Sequence, residues 1–382
     1  MNPKLVILGP AHPFRGGLAN YNERLVTEFQ QQGYDVVMHT FTTQYPELLF
    51  PGKSQFSDRP APLNLDIYRT FSSINPISWI RLGLRLKREE PDILILRFWL
   101  PFMAPAMGTI SRIVRKNKKT KILALIDNII PHEKRVGDTM LAKYFVGSVD
   151  GFVVMSRAVE ADLNSFDKQK PVEFCPHPLF DNYGAIVPRL DAIKKLNLDA
   201  ASKYMLFFGF IRDYKGLDLL LKAMAMPLLN DPQIKLIVAG EFYCEQESYL
   251  TLIRESGLQD RVVLRTEFIP DAEIPAYFGA ADLVVQPYKS ATQSGVTQVG
   301  YYFNKPMLVT NVGGLGEIIP HGKVGYVVEP NPEAIADAIN NFFSNNRYEE
   351  MSAMAEIEKA RFSWASLVHS FEKLTTRIKN KQ

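Results

Sequence analysis

Lys203-Tyr204-Met205-Leu206-Phe207-Phe208-Gly209-Phe210-Ile211-Arg212-Asp213-Tyr214-Lys215-Gly216-Leu217-Asp218 runs from an unbroken apolar segment, past a glycine and two cations, into a second apolar segment. Residues 205–208 read as a buried strand and 217–226 as the helix that follows it. In open α/β sheets, ligands bind beyond the carboxyl ends of the strands, and that is where Arg212 and Lys215 fall. A cation at a helix N-terminus opposes the helix dipole and needs a reason to be there. An anionic ligand held between Arg212, Lys215 and the helix supplies one, since arginine offers a planar fork to phosphate and lysine a point charge. The bland alternative is a surface pair.

Outward from this stretch the same alternation continues. Residues 234–239, 262–264, 283–286, 307–310 and 326–328 read as further strands separated by helical segments. Upstream, 4–8 reads as a buried strand, and 18–32 as a helix with Leu18, Tyr21, Leu25 and Phe29 at helical spacing. Gly33 stops that helix, and strands at 35–39, 93–96, 121–126 and 151–155 follow. Strands alternating with helices imply parallel sheets covered on both faces. Two such series in 382 residues imply an α/β protein of two Rossmann-like domains. Pro171, Pro176, Pro178 and Pro188 mark the connection, which places the domains at 1–185 and 186–362. From Pro332 onward the chain is strongly helical. Ser363-Trp364 starts a last amphipathic helix, 363–382, with Leu367, Phe371, Leu374 and Ile378 on one side.

Two other strand ends carry ligand-binding chemistry. After 4–8 comes Gly9-Pro10-Ala11-His12-Pro13-Phe14-Arg15-Gly16-Gly17-Leu18, which is glycine-rich but not Gly-x-Gly-x-x-Gly. Gly16-Gly17 would let the backbone approach a ligand closely at a helix N-terminus, or would form a plain hinged loop. After 283–286 comes Pro287-Tyr288-Lys289-Ser290-Ala291-Thr292-Gln293-Ser294-Gly295-Val296-Thr297-Gln298. The amides of Ser294, Gly295 and Val296 could cradle a phosphate without metal, or Ser294 could simply cap a helix. With Arg212 and Lys215 at another strand end of the same series, the phosphate reading is the better one. The chain has no Asp-x-Asp pair and no Gly-x-x-x-x-Gly-Lys-Ser/Thr loop, so neither a carboxylate-held Mg²⁺ site nor a P-loop is evident.

The bulk properties narrow the class. The chain is 46% hydrophobic and 22% charged, ordinary for a globular protein. Cys175 and Cys244 have neither metal-ligand spacing nor a framework of partners, which fits a reducing compartment. No run of about 18 apolar residues spans a membrane, so a cytoplasmic location is expected. The net charge of +3 is unevenly spread: residues 1–180 carry 23 Lys+Arg against 17 Asp+Glu. The excess clusters at Arg81, Arg85, Lys87, Arg88 and at Arg112, Arg115, Lys116, Lys118, Lys119, Lys121. These read either as solvated helix faces or, with Trp79, Phe98, Trp99 and Phe102 interleaved, as a surface for anionic lipid or an anionic acceptor. No nucleic-acid reader motif accompanies them.

At these residues the sequence resembles the GT-B glycosyltransferases, specifically glycosyltransferase family 4 (glycosyl transferases group 1), over nearly its whole length. The segment from Gly209 to Gly216 with Leu217-Asp218 is similar to that family's Gly-Arg-x-x-x-Lys-Gly-x-Asp and is the most specific match. Phe268-Ile269-Pro270, Ala280-Ala281-Asp282, Gln286-Pro287, Lys305-Pro306 through Thr310, and Gly313-Gly314 followed by Glu317 match later landmarks, and Gly16-Gly17 resembles the acceptor-side glycine loop. The resemblance implies two Rossmann-like domains facing a cleft, with the final helix crossing back to the N-terminal domain. It implies that Arg212 and Lys215 hold the donor diphosphate and that the amides of Ser294, Gly295 and Val296 support the distal phosphate. Gly209 belongs to the same donor-binding set, the backbone near Phe268 and Ile269 faces the base, and Glu241 contacts donor or acceptor hydroxyls or is a plain loop acid.

The sequence also departs from the pattern. The family's two glutamates, eight positions apart, fall on Ala291 and Val299, and Gln298 is the adjacent polar substitute. Many relatives have a histidine directly after the strand at 121–126. Here Asp127 and Asn128 stand there, and His132 follows in the same loop, lining the cleft or serving structure. Asp127 and His132 join Arg212 and Lys215 as candidate catalytic residues. The expected reaction is retaining, metal-independent transfer from a nucleotide-diphosphate sugar to a hydroxyl acceptor, with no cofactor, in cell-surface polysaccharide or glycolipid synthesis. The acceptor would be a glycan or lipid-linked, with peripheral contact at the inner face of the membrane through the basic N-terminal surface. The rivals are a solute-binding module, a sugar-nucleotide epimerase of similar fold, and a catalytically degenerate nucleotide-sugar-binding relative.

Overall fold

The computed structural model describes residues 2–46, 54–57, 59–131 and 135–380. They divide into two compact units, one built from Met1–Pro178 and Ser363–Gln382, the other from Leu179–Phe362. The chain passes from the first unit to the second within the proline-rich stretch.

The first unit holds a parallel seven-stranded sheet. Its strands are β1 (Lys4–Leu8), β2 (Asp35–Thr43), β3 (Asp66–Ser72), β4 (Ile93–Phe98), β5 (Lys121–Ile126), β6 (Gly151–Val154) and β7 (Val172–Phe174), in the order β3-β2-β1-β4-β5-β6-β7. β1 is an inner strand, with Ile7 paired to Met38 on one side and Ile95 on the other. The helices are α1 (Gly17–Gln31), α2 (Pro76–Glu89), α3 (Ala104–Val114), α4 (Asp138–Val146) and α5 (Arg157–Asn164). Two of these helices, α2 and α5, start with side-chain caps. Asn75 accepts the Ile77 N–H before Pro76 opens α2, and Ser156 accepts the Val159 N–H at α5. The C-terminal helix Trp364–Lys379, capped by Ser363, buries Leu367, Phe371, Leu374 and Ile378 and packs against α1, β5, β6 and β7. Gly151 makes room for it: a Cβ there would lie 2.8 Å from Leu374 Cδ1.

The second unit holds a parallel six-stranded sheet of β8 (Lys203–Phe208), β9 (Ile234–Ala239), β10 (Val262–Arg265), β11 (Leu283–Gln286), β12 (Met307–Thr310) and β13 (Gly325–Val328), in the order β10-β9-β8-β11-β12-β13. Its helices are α6 (Arg189–Lys195), α7 (Leu217–Met224), α8 (Glu247–Glu255), α9 (Ile274–Ala280), α10 (Gly295–Tyr302), α11 (Leu315–Ile318), α12 (Pro332–Ser344) and α13 (Tyr348–Glu358). Leu220, Leu221 and Met224 of α7 and Ile335, Ile339 and Phe342 of α12 share one core with Leu236, Val238 and Val285 of the sheet.

Two strands are absent from the reading of the sequence. β3 is an edge strand in which only Phe71 and Ser72 are buried, so its apolar signal is weak. β7 is three residues long beside Pro171, inside the stretch taken as a connection. In both sheets the strand order reverses beside the first strand, between β1 and β4 and between β8 and β11. Those reversals are the places where open α/β sheets form ligand crevices.

Candidate functional site

In the second unit the reversal lies between β8 and β11, and the loops that leave these two strands are locked together. Gly209 ends β8 at φ +95, and its N–H donates to Ala239 O at 2.9 Å. Beyond it the Ile211 N–H donates to Glu241 O and the Tyr243 N–H to Ile211 O, both at 2.8 Å, which zips the loops after β8 and β9. Arg212 opens a 3-10 turn, Asp213–Lys215, that Gly216 closes at φ +69. A Cβ on Gly216 would lie 2.0 Å from Pro287 O, so glycine lets this turn press directly on the loop after β11. The Lys289 N–H donates to Tyr214 O at 2.7 Å, and Lys289 Nζ holds Asp213 at 3.0 Å and Asp218 at 2.9 Å.

This clasp sets the cations. Lys215 Nζ lies 3.1 Å from where a Cβ of Gly209 would be, and Val296 Cγ2 of the first turn of α10 lies 3.7 Å from the same point. The Lys215 ammonium and the start of α10 therefore converge on the end of β8. Burial, and then the charge of Arg212, pull the Lys215 pKa down to about 7. Arg212 is half-buried, with its guanidinium carbon 5.3 Å from the Tyr243 ring centroid. The Ser294 hydroxyl does not cap α10: it pairs with the Tyr288 hydroxyl at 3.3 Å, leaving the outward amides of the first turn to other partners. Two cations and a helix N-terminus at one strand-end reversal can neutralise a diphosphate.

An aromatic wall stands beside them. The Phe210 and Tyr243 rings stack at 4.3 Å and 24°, and Phe268 lies 6.4 Å from Phe210. A planar heterocycle could stack on such a wall. Ile269 next to it is buried, as is Glu241. Gln298, on α10, is wholly enclosed, and neither atom of its amide has a hydrogen-bond partner among the described residues. Its neighbour Thr297 donates to Gln286 Oε1 at 3.0 Å. Ala291 and Val299 are buried as well. Other landmarks do structural work: Asp282 accepts the Tyr204 N–H at 2.7 Å and pairs with Arg189, and Lys305 Nζ is held by Ala281 O and the Tyr348 hydroxyl at 3.0 Å each.

In the first unit Gly16 takes φ +102 as the N-cap of α1, and Gly17 is exposed. Asp127 is buried at the end of β5. Its two oxygens accept from Arg97 Nε and Nη2 at 2.5 Å each, a bidentate pair enclosed in the protein. That placement suits an orienting ion pair better than a proton carrier. The Arg97 guanidinium lies 3.9 Å from the Tyr21 ring centroid, and Tyr21 packs on His177 at 4.8 Å and on Trp364 at 4.7 Å. Burial opposes the Arg97 charge, but Asp127 and Tyr21 more than offset it, and its pKa is raised. Burial also holds His177 neutral, at about 3. The cluster went unread, although an arginine inside the apolar run Ile-Leu-Ile-Leu-Arg-Phe was its signal. His132 lies outside the described residues. Among those described, no group of three or more His, Cys, Asp or Glu could hold a metal ion.

The model of the family Glycosyl transferases group 1 matches residues 189–361. D-inositol 3-phosphate glycosyltransferase of Pseudarthrobacter chlorophenolicus is 29% identical over 181 residues, covering 46% of this chain and 43% of that protein. The enzyme of the same name from Corynebacterium aurimucosum is 25% identical over 241 residues, covering 61% and 53%. The chain thus aligns with about half the length of these curated relatives. Among solved structures, sucrose-phosphate synthase of Thermosynechococcus elongatus superposes with a TM-score of 0.77 at 18% identity over 100% of both chains. HepE of Anabaena, solved in complex with UDP and glucose, gives 0.72 at 15% over 100% of this chain and 99% of that one. At these identities the structural likeness establishes the fold, which is GT-B. Residues 189–361, within the second unit, match the model of the glycosyl transferases group 1.

Proposed function

We propose that the protein transfers a glycosyl group from a nucleotide-diphosphate sugar to a hydroxyl acceptor. The observation that carries this is the convergence of Lys215, Arg212 and the start of α10 on the end of β8. As the glycosidic bond breaks, negative charge develops on the departing diphosphate, and cations and amides already in place stabilise it without reorganising. The Phe210–Tyr243 wall would take the base, and the backbone at Phe268 and Ile269 would flank it. HepE, a structural neighbour solved with UDP and glucose, supports a donor of this kind. The reaction is proposed to retain anomeric configuration and to need neither metal nor cofactor. Asp127, paired with Arg97, is proposed as a positioning residue. The acceptor is proposed to be a glycan or a lipid-linked hydroxyl compound, in surface polysaccharide or glycolipid synthesis.

Calorimetry with nucleoside diphosphates and turnover assays with their sugars test this. Arg212→Ala should lower kcat/KM about 10²–10³-fold in a folded protein, and full activity in that variant would overturn the assignment. One observation favours a second reading: Ala291 and Val299 are buried apolar residues where the family resemblance expects sugar-gripping glutamates. Donor binding without turnover on any acceptor in a broad panel would select a binding-only relative instead.

A further inference from the structure

We infer that the first unit docks on an anionic lipid surface through the outer face of its helical layer α2–α3–α4. This inference does not rest on the transfer reaction, because docking is read without any donor. The inner side of α2 is committed to packing. Leu82, Gly83 and Leu86 are buried, and Gly83 is so close to α3 that a Cβ there would lie 3.0 Å from Ile113 Cβ.

Its outer side should be polar throughout if it simply met water, but an apolar strip runs along it. Ile77 is 67% exposed and Ile80 and Leu84 48% each, spaced i, i+3, i+7, with Ile74 exposed just before the helix. Arg81, Arg85 and Arg88, spaced i, i+4, i+7, form the adjoining strip and are all exposed. Single exposed apolar side chains need no explanation, but an aligned strip does. On the same layer, α4 presents Met140, 69% exposed, with Val136 exposed just ahead of it.

The acidic groups on this face are engaged: Asp138, at the start of α4, accepts the Arg135 N–H. The carboxylates of Glu89 and Glu90, at the end of α2, are taken by Arg85 and Lys119. Arg81 and Arg88 make no ion pair among the described residues. The 3-10 turn after α3, Arg115–Asn117, touches α2, and it brings exposed Lys116 and Lys118 to that end of the helix. An isoleucine–leucine strip beside an arginine strip is the arrangement by which a helix lies in a bilayer interface, apolar side chains in the acyl boundary and cations on anionic headgroups. A second copy of this chain would set like charges against each other, and nucleic acid would leave the isoleucines in water. No helix among the described residues is long and apolar enough to cross a membrane, so the contact would be peripheral.

Flotation of the full chain with phosphatidylcholine vesicles, with and without phosphatidylglycerol, tests this. The chain should float with the anionic vesicles at low salt. It should be released at about 1 M salt, where the screening length is about 3 Å. Arg81→Glu with Arg88→Glu should weaken binding at least about tenfold, and Ile80→Ser with Leu84→Ser should weaken it at the same vesicle charge. These side chains are exposed, so unchanged circular dichroism is expected in both variants. Absence of binding to anionic vesicles at low salt overturns the inference. So does binding untouched by either pair of substitutions, or self-association of the chain that Ile80→Ser with Leu84→Ser abolishes.

Discussion

At neutral pH the Lys215 side chain stands at its titration point, because burial and the Arg212 charge lower its pKa to about 7. A diphosphate beside it favours the ammonium and raises that pKa. Between the free and bound values, binding must therefore take up a proton, and affinity must fall as pH rises above about 7, by at most about tenfold per unit. Calorimetry near pH 8 in buffers of different ionisation heat should register uptake approaching one proton. Lys215→Met should abolish it; equal uptake in that variant would remove Lys215 from the site. The buried pair Arg97–Asp127 makes a second residue-level prediction. Asp127→Asn leaves the Arg97 charge enclosed without its counter-ion and should cost about 3–5 kcal/mol of stability. An unfolding midpoint unchanged in that variant would contradict the bidentate geometry. Neither feature is legible residue by residue. Arg212 and Lys215 stand out in the sequence as cations leaving a strand, but the drop in the Lys215 pKa needs the loop after β11 folded over it.

At the scale of elements, the site is the contact between two strand-end loops, and its tightest point is Gly216. Alanine there would adopt a left-handed conformation costing about 1–2 kcal/mol, and its Cβ would overlap Pro287 O. Gly216→Ala should therefore lower stability by more than the conformational cost alone and weaken nucleoside-diphosphate binding, as chemical denaturation and calorimetry would reveal. Loss of neither would mean that the loops can separate without consequence. The strands that build the site were readable because each is short, apolar and followed by glycine or proline. β3 and β7 were not, since an exposed edge and a three-residue pairing leave almost no hydrophobic pattern. Gln298, adjacent in sequence to a glutamate slot, is wholly enclosed on α10 with its amide unpartnered among the described residues, a burial set by how α10 packs rather than by its position in the sequence.

At the scale of the molecule, the two units can be watched separately. All three tryptophans, Trp79, Trp99 and Trp364, belong to the first unit. So do His39, held down at about 4 by burial and the charge of Arg85, and His177, held at about 3 by burial. In the unfolded chain both titrate near 6.5. Below that pH the unfolded state binds more protons, so stability falls on acidification until the folded values are passed. Each histidine contributes up to about 1.4 kcal/mol per pH unit in that window. The denaturation midpoint followed by tryptophan fluorescence should drop between pH 6.5 and 4, and His39→Gln should make the drop shallower. An equal slope in that variant would mean His39 is protonated in the folded protein.

The sequence by itself determined that the second half carries a cation pair at a strand end. Local pattern suffices for that: an apolar run, a glycine and a helical repeat place Arg212 and Lys215 wherever the sheet happens to go. Only the tertiary structure decided that β8 and β11 are neighbours at the point where strand order reverses. That adjacency depends on pairings between residues almost eighty positions apart, such as Met205 with Leu283, which no local pattern encodes. It is also what brings Lys215, Gly209 and the first turn of α10 to one place.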